Sequence, residues 1–154
     1  MSTAEYKTLK IKAARFCAYR ERAVQEVREK LRALGASEGQ RDQLIQELIQ
    51  ENFLNEQRYA RAFTLDKFRF NKWGKVKIRQ QLRQKGVEEA EIDASLMSIS
   101  GEDYVSMVRQ LARQKGHTLQ TEGDQSVKKQ KVIRYLQQKG FEYEIIAQNI
   151  EFLS

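Results

Sequence analysis

One spacing recurs three times along this chain: an apolar residue, a second apolar residue four positions on, and a glycine four positions after that. Val27, Leu31 and Gly35 carry it first, Ile78, Leu82 and Gly86 second, and Val132, Leu136 and Gly140 third. Side chains four apart stack on one face of a helix, and a glycine just beyond supplies the left-handed residue with which helices commonly end. Each copy therefore predicts a helix with one buried stripe and a firm stop. The copies are offset by 51 and then 54 residues, which divides the 154 residues into three tandem modules at 1–54, 55–100 and 101–154.

Each copy has further helices on both sides. Six and ten residues after the glycine come Ile92 and Leu96 in the second copy and Ile146 and Ile150 in the third, while Leu44 and Leu48 follow Gly35 with three extra residues in the turn. Upstream of each copy lie aromatics: Phe16 and Tyr19, then Tyr59 and Phe63, then Tyr104. The unit is thus three helices, and the spacing predicts nine in all, near 4–19, 21–34, 39–52, 56–70, 74–85, 88–98, 102–115, 125–139 and 142–152. Proline is absent, where ordinary usage would supply roughly eight. No strand is expected. Ser37 with Gln40, Ser100 with Asp103, and Asn55 before Glu56 have the spacing of helix N-caps. Residues 116–125, the least regular stretch, read as a flexible loop. A lone three-helix unit of fifty residues is marginal, so the modules are expected to stack into an elongated, curved all-α array.

The longest unbroken apolar run is Phe16–Tyr19, far short of the roughly 20 residues that cross a bilayer, and the N-terminus has no hydrophobic signal core. Neither a membrane span nor export is expected, and the single Cys17, placed on an apolar helix face, suits a reducing cytoplasm. His117 has no Cys, His or spaced carboxylate pair nearby and reads as a surface residue. Glu88, Glu89, Glu91 and Asp93 suit the positive end of a helix, and no glycine-rich phosphate loop follows a strand. An enzyme, a metal site and a cofactor are therefore not expected. Phe16, Tyr19, Tyr59, Phe63, Phe141 and Tyr143 keep helical or repeat spacing and read as core.

Charge is the feature that points outward. The chain carries a net +7, of which residues 55–100 hold +4 against +2 and +1 for the flanking modules. Between Lys67 and Val87 lie Lys67, Arg69, Lys72, Lys75, Lys77, Arg79, Arg83 and Lys85 with no carboxylate among them. Lys75, Arg79 and Arg83 recur every four residues as a stripe beside the Ile78 and Leu82 face, a layout that tracks phosphates or carboxylates. Lys128, Lys129, Lys131 and Arg134 occupy the equivalent helix of the third module, and Arg15, Arg20 and Arg22 lie near the first helix junction. The other reading of these cations is a solvated face. Trp73, between Lys72 and Gly74, is suited either to stacking on a base or to packing at a helix start, and packing is favoured.

The stretch Phe53-Leu54-Asn55-Glu56-Gln57-Arg58-Tyr59-Ala60-Arg61-Ala62-Phe63, then Lys72-Trp73-Gly74, then Ile78-Arg79-Gln80-Gln81-Leu82-Arg83-Gln84-Lys85-Gly86-Val87 resembles the central module of the RecX regulatory proteins, which modulate the bacterial recombinase RecA. Tyr135-Leu136-Gln137-Gln138-Lys139-Gly140-Phe141-Glu142-Tyr143 is similar to that family's closing signature, and the likeness runs from about Ile11 to Ile150. The N-terminal module departs from the pattern. Where the family has two basic residues and a serine between the first two helices, this chain has Tyr19-Arg20-Glu21-Arg22-Ala23, and alanine is a poor cap.

The resemblance implies three tandem three-helix repeats and a non-enzymatic negative regulator in DNA repair, homologous recombination and the SOS response. It implies binding to RecA and to its filament on single-stranded DNA, with ATP hydrolysis and strand exchange inhibited by blocked extension or promoted disassembly. A monomer is expected, since no sustained heptad seam is present. The competing expectation is an autonomous basic helical protein that binds DNA, single- or double-stranded, or RNA.

Overall fold

The computed structural model describes residues 3–151. Those residues form nine helices and no strand: α1 Thr3–Tyr19, α2 Val24–Ala33, α3 Glu38–Gln50, α4 Glu56–Arg69, α5 Lys75–Gln84, α6 Glu89–Leu96, α7 Gly101–Thr118, α8 Gln125–Gln138 and α9 Tyr143–Gln148. The ends of the first and third modules, residues 1–2 and 152–154, lie outside the described residues, as does the last position of the helix expected over 142–152.

The three glycine stops share one hydrogen-bond pattern. Gly35, Gly86 and Gly140 have φ of 91°, 79° and 98°. Their amides donate to the carbonyls of Arg32, Arg83 and Gln137 at 2.9–3.0 Å, and the next amides, of Ala36, Val87 and Phe141, donate to Leu31, Leu82 and Leu136 at 3.0–3.1 Å. This double closure satisfies carbonyls that a helix end would otherwise leave bare, and the apolar residue after each glycine is buried, as is the leucine it bonds. N-caps complete the frame. Ser37 Oγ accepts from the Gln40 amide at 3.3 Å while Gln40 Oε1 accepts from the Ser37 amide at 2.8 Å. Ser100 Oγ accepts from Asp103 at 3.0 Å, and Asn55 Oδ1 from Arg58 at 2.9 Å. Ala23 caps α2 with no side-chain acceptor, and only Glu26 Oε1 reaches back to its amide, at 3.2 Å.

The chain forms two compact units. The first comprises residues up to Phe63 together with Leu82–Asp93, and the second Thr64–Gln81 together with residues from Ala94 on. The division cuts α4, α5 and α6, so the middle module supplies residues to both.

In the first unit Leu9, Ala13 and Cys17 of α1 meet Val27 and Leu31 of α2 and Leu44, Ile45 and Leu48 of α3, with Leu54 beneath them. Burial pushes the Cys17 thiol up, so it stays a protonated core group. Arg58 Nε donates to both oxygens of Glu21, at 3.1 and 3.0 Å, and its Nη1 to Asn52 Oδ1 at 2.9 Å, fastening the start of α4. In the second unit Tyr104 stands between Phe68 and Phe141, with ring centroids 5.9 and 5.2 Å away. Also buried in this unit are Ile78, Val108, Leu111, Val132, Leu136, Ile146 and Ile150, and the Thr64 hydroxyl donates to Ser95 Oγ at 3.0 Å.

Several expectations need correction. The loop expected over 116–125 narrows to 119–124, because α7 continues through Gly116. Tyr104, Val108, Ala112 and Gly116 fall four apart on one buried face, so periodicity carries the helix past a residue that as sequence looks like a stop. Glu122 braces the shortened turn through its bonds to the Asp124 amide and to Lys131, at 3.3 and 3.2 Å. Helix α9 ends before Asn149, whose Nδ2 donates to the Ile145 carbonyl at 2.7 Å and whose Oδ1 accepts from Arg109 at 3.1 Å. Tyr19 and Tyr143 are not core: they are 84% and 53% exposed, since the buried stripes of their helices run through Cys17 and Ile146. Tyr59 is buried, whereas Phe63, 5.9 Å from it, is half-buried.

Candidate functional site

The cations of the middle module have unequal surroundings. On α5, Lys75 is half-buried, with its Nζ 4.8 Å from the centroid of the Tyr104 ring and its amide donating to Tyr104 Oη at 2.9 Å. Tyr104 in turn donates to a carboxylate oxygen of Glu142. Burial, reinforced by Glu142, pushes this phenol far above its ordinary value, so it remains a donor at neutral pH. Arg79 is half-buried. Arg83 is exposed and paired with Glu89 through both nitrogen positions of its fork, Nη2 lying 3.2 Å from Oε2. The carboxylate-free window thus meets its counter-charge just beyond its own end, across the Gly86 turn. Arg83 and Lys85 belong to the first unit; Lys67 through Arg79 and the α8 cations belong to the second.

A positive cluster lies in the second unit, where two turns are joined by backbone bonds. After α4, Lys72 takes a left-handed conformation (φ 58°) and the Trp73 amide donates to the Lys67 carbonyl at 3.1 Å. The Gly74 amide then donates to the Lys139 carbonyl at 2.7 Å and the Val76 amide to the Gly140 carbonyl at 2.9 Å. A Cβ on Gly74 would strike the backbone of Gly140 and Phe141, and one on Gly140 would strike Lys77. Only glycine at both places lets the two turns touch.

That contact gathers lysines. Lys67 and Lys77 hold their Nζ atoms 5.1 and 4.7 Å from the Trp73 ring centroid. Lys115 and Lys139 lie 5.1 and 5.9 Å from the Tyr135 centroid. The Lys139 ammonium is held below the usual lysine range, first by burial and then by the charges of Lys77 and Lys72. Cations that raise one another's energy in this way are stabilised by any anion that arrives between them. Trp73 is half-buried, with these two ammonium groups 5.1 and 4.7 Å from its ring centroid.

The remaining expected contacts are dispersed. Arg69 is exposed at the end of α4. On α8, Lys128 and Lys129 are half-buried, Arg134 is exposed, and Lys131 lies 3.2 Å from Glu122. Of the cations near the first helix junction, Arg20 pairs with Glu26 at 2.9 Å, and Arg22 is nearly buried with its guanidinium 3.7 Å above the Phe16 ring. Sequence reasoning selected Lys67, Lys72 and Lys77 but missed Lys139, Lys115 and Tyr135. One signal was available: Lys139 precedes Gly140 as Lys85 precedes Gly86. Among the described residues no group of His, Cys, Asp and Glu side chains is arranged to hold a metal, and no helix is long and apolar enough to cross a membrane. The chemistry on offer is recognition of anionic groups.

Three tandem three-helix domains, with a lysine cluster where turns of the second and third domains join, define an all-helical repeat protein with a cationic surface. The chain belongs to the RecX family. Models described as the first, second and third three-helix domains of RecX match residues 10–48, 55–96 and 102–149. The chain is similar to the regulatory protein RecX of Chromobacterium violaceum, 32% identical over 145 residues that cover 94% of this chain and 90% of that one. It is also similar to the regulatory protein RecX of Halalkalibacterium halodurans, 33% identical over 135 residues, where it covers half of the relative's length and 87% of its own is matched. The crystal structure of RecX from Lactobacillus salivarius has the same fold, with a TM-score of 0.91 over 99% of this chain and 98% of that one at 24% identity.

Proposed function

We propose that this chain is a negative regulator of the RecA recombinase, binding RecA and its filament on single-stranded DNA and inhibiting ATP hydrolysis and strand exchange. The observation that carries this reading is membership of the RecX family along all three domains. The lysine cluster at the joined turns supports an anionic contact surface, with Lys67, Lys72, Lys77 and Lys139 at its centre and Lys75, Arg79, Lys128, Lys129 and Arg134 as further contacts. Three modules, 1–54, 55–100 and 101–154, each making a modest contact, add through effective concentration without a deep pocket. The regulator acts in the cytoplasm as a monomer.

The test is ATP hydrolysis by RecA on single-stranded DNA, titrated with this chain and with a Lys67→Ala, Lys72→Ala, Lys77→Ala variant. Inhibition is expected below one inhibitor per recombinase, because capping or destabilising a filament affects many subunits, and the variant should need about tenfold more protein. No inhibition up to DNA-saturating concentrations overturns the reading. The half-buried Trp73 ring beside two ammonium groups favours a second reading, autonomous nucleic-acid binding. It would show as direct binding with a log–log salt slope of about −0.7 to −0.9 per neutralised phosphate.

A further inference from the structure

A second cationic and aromatic surface lies in the first unit, with no part in the cluster described above. Along α1, Lys12, Arg15, Phe16 and Tyr19 follow one another at intervals of three, one and three residues, which sets them on one helical face beside the buried stripe of Leu9, Ala13 and Cys17. Across from them stand Lys30 and Leu34 near the end of α2. Between the two helices runs an open groove of about 350 Å³ that no carboxylate lines.

Its floor is rigid and its rim is charged. The Arg22 guanidinium lies 3.7 Å from the Phe16 centroid and 5.8 Å from that of Tyr19, while its Nε donates to the Phe16 carbonyl at 2.9 Å. Arg22 is thereby used up in bracing the two rings. Lys30 sits 5.5 Å from the Phe16 centroid. Lys12 and Arg15 are exposed and have no ion-pair partner among the described residues. Tyr19, 84% exposed, presents a bare ring at the mouth.

We propose that this groove seats a nucleotide unit of single-stranded DNA, with its base stacked on Tyr19 and its phosphate held by Lys12, Arg15 and Lys30. Cations at the rim without carboxylates suit a phosphate, and an exposed aromatic ring gives a flat base the face it seeks. A duplex keeps its bases stacked inside and has none to offer. An acidic protein segment would satisfy the cations and leave the ring without a role. The inference is a property of the chain and DNA alone, so it stands or falls separately from the RecA reading.

The test uses the full chain, a fluorescent oligo-dT and no recombinase, with affinity read by anisotropy. Tyr19→Leu should weaken binding about tenfold, while Tyr19→Phe, which keeps the ring, and Tyr143→Leu, at an exposed tyrosine elsewhere, stay within about twofold. Lys12→Ala with Arg15→Ala should reduce the log–log salt slope by about 0.7, the one phosphate contact of this site on a single strand. An oligonucleotide carrying 5-iodouracil should crosslink to Tyr19 on irradiation. Unchanged affinity in Tyr19→Leu, crosslinks confined to other residues, or competition by polyglutamate equal to that of oligo-dT at matched charge would each overturn the proposal.

Discussion

The Gly74 amide donates to the Lys139 carbonyl at 2.7 Å, tying the turn before α5 to the turn that ends α8 across 65 residues of chain. The bond sits where neither Gly74 nor Gly140 has room for a Cβ. It brings Lys139 within electrostatic reach of Lys72 and Lys77, so one backbone contact serves both packing and charge.

That close approach separates two glycines that look alike in sequence. Gly35 and Gly140 both have left-handed φ, yet a Cβ on Gly35 meets nothing within 4 Å while one on Gly140 meets Lys77. Gly35→Ala should cost about 1–2 kcal/mol, the left-handed penalty alone. Gly140→Ala should cost about 3 kcal/mol or more, because the joined turns must also separate. Urea unfolding of the two variants measures the difference; equal losses would show that the turns yield easily.

Lys139→Met tests the charge cluster. A base whose folded value is depressed binds fewer protons folded than unfolded, so wild-type stability rises with pH as it climbs through that lowered value toward the ordinary lysine value near 10.5. Methionine removes this cost. The variant should be more stable than wild type at pH 7, with the gap closing over that alkaline window, and it should bind anionic polymers more weakly. Chemical unfolding at a series of pH values, beside a DNA-binding titration at low salt, checks both.

Tyr104→Phe should destabilise by about 1–3 kcal/mol, because the Lys75 amide loses its acceptor and Glu142 its donor. Burial raises the phenols of Tyr104 and of Tyr59, the latter to about 12. Acids with raised values contribute stability that is complete below the unfolded value near 10 and is lost as pH climbs beyond it. Wild-type stability should therefore fall above pH 10, and less steeply in Tyr104→Phe. Thermal melts between pH 8 and pH 11, followed by far-ultraviolet circular dichroism, give the slopes.

Ala23→Ser restores a missing cap. Ala23 has the extended backbone of an N-cap, and Glu26 already supplies the reciprocal bond. A hydroxyl there should accept from the α2 amides and add about 0.5–1 kcal/mol. A raised melting temperature is expected; a lowered one would mean that this fully buried site has no room for the oxygen.

The helical repeat was legible because its causes are local. Stacked pairs such as Ile78 and Leu82 and the left-handed glycine after them act within one or two turns, so Gly35, Gly86 and Gly140 announced the same closure before any packing was known. The caps at Ser37, Asn55 and Ser100 span three residues and were equally plain. Gly116 escapes this local logic because burial of one face carries α7 through it.

Charge was legible only as inventory. A window of sequence counts cations but does not show which are neutralised: Arg83 finds Glu89 by turning at Gly86, and Lys131 finds Glu122 across the bend before α8. Periodicity and composition are enough to specify three glycine-closed helical modules with an excess of positive charge in the second. That Lys67, Lys72 and Lys77 share a cluster with Lys139 comes from packing in three dimensions, because Coulomb interactions depend on distance in space and the chain between these lysines must first fold.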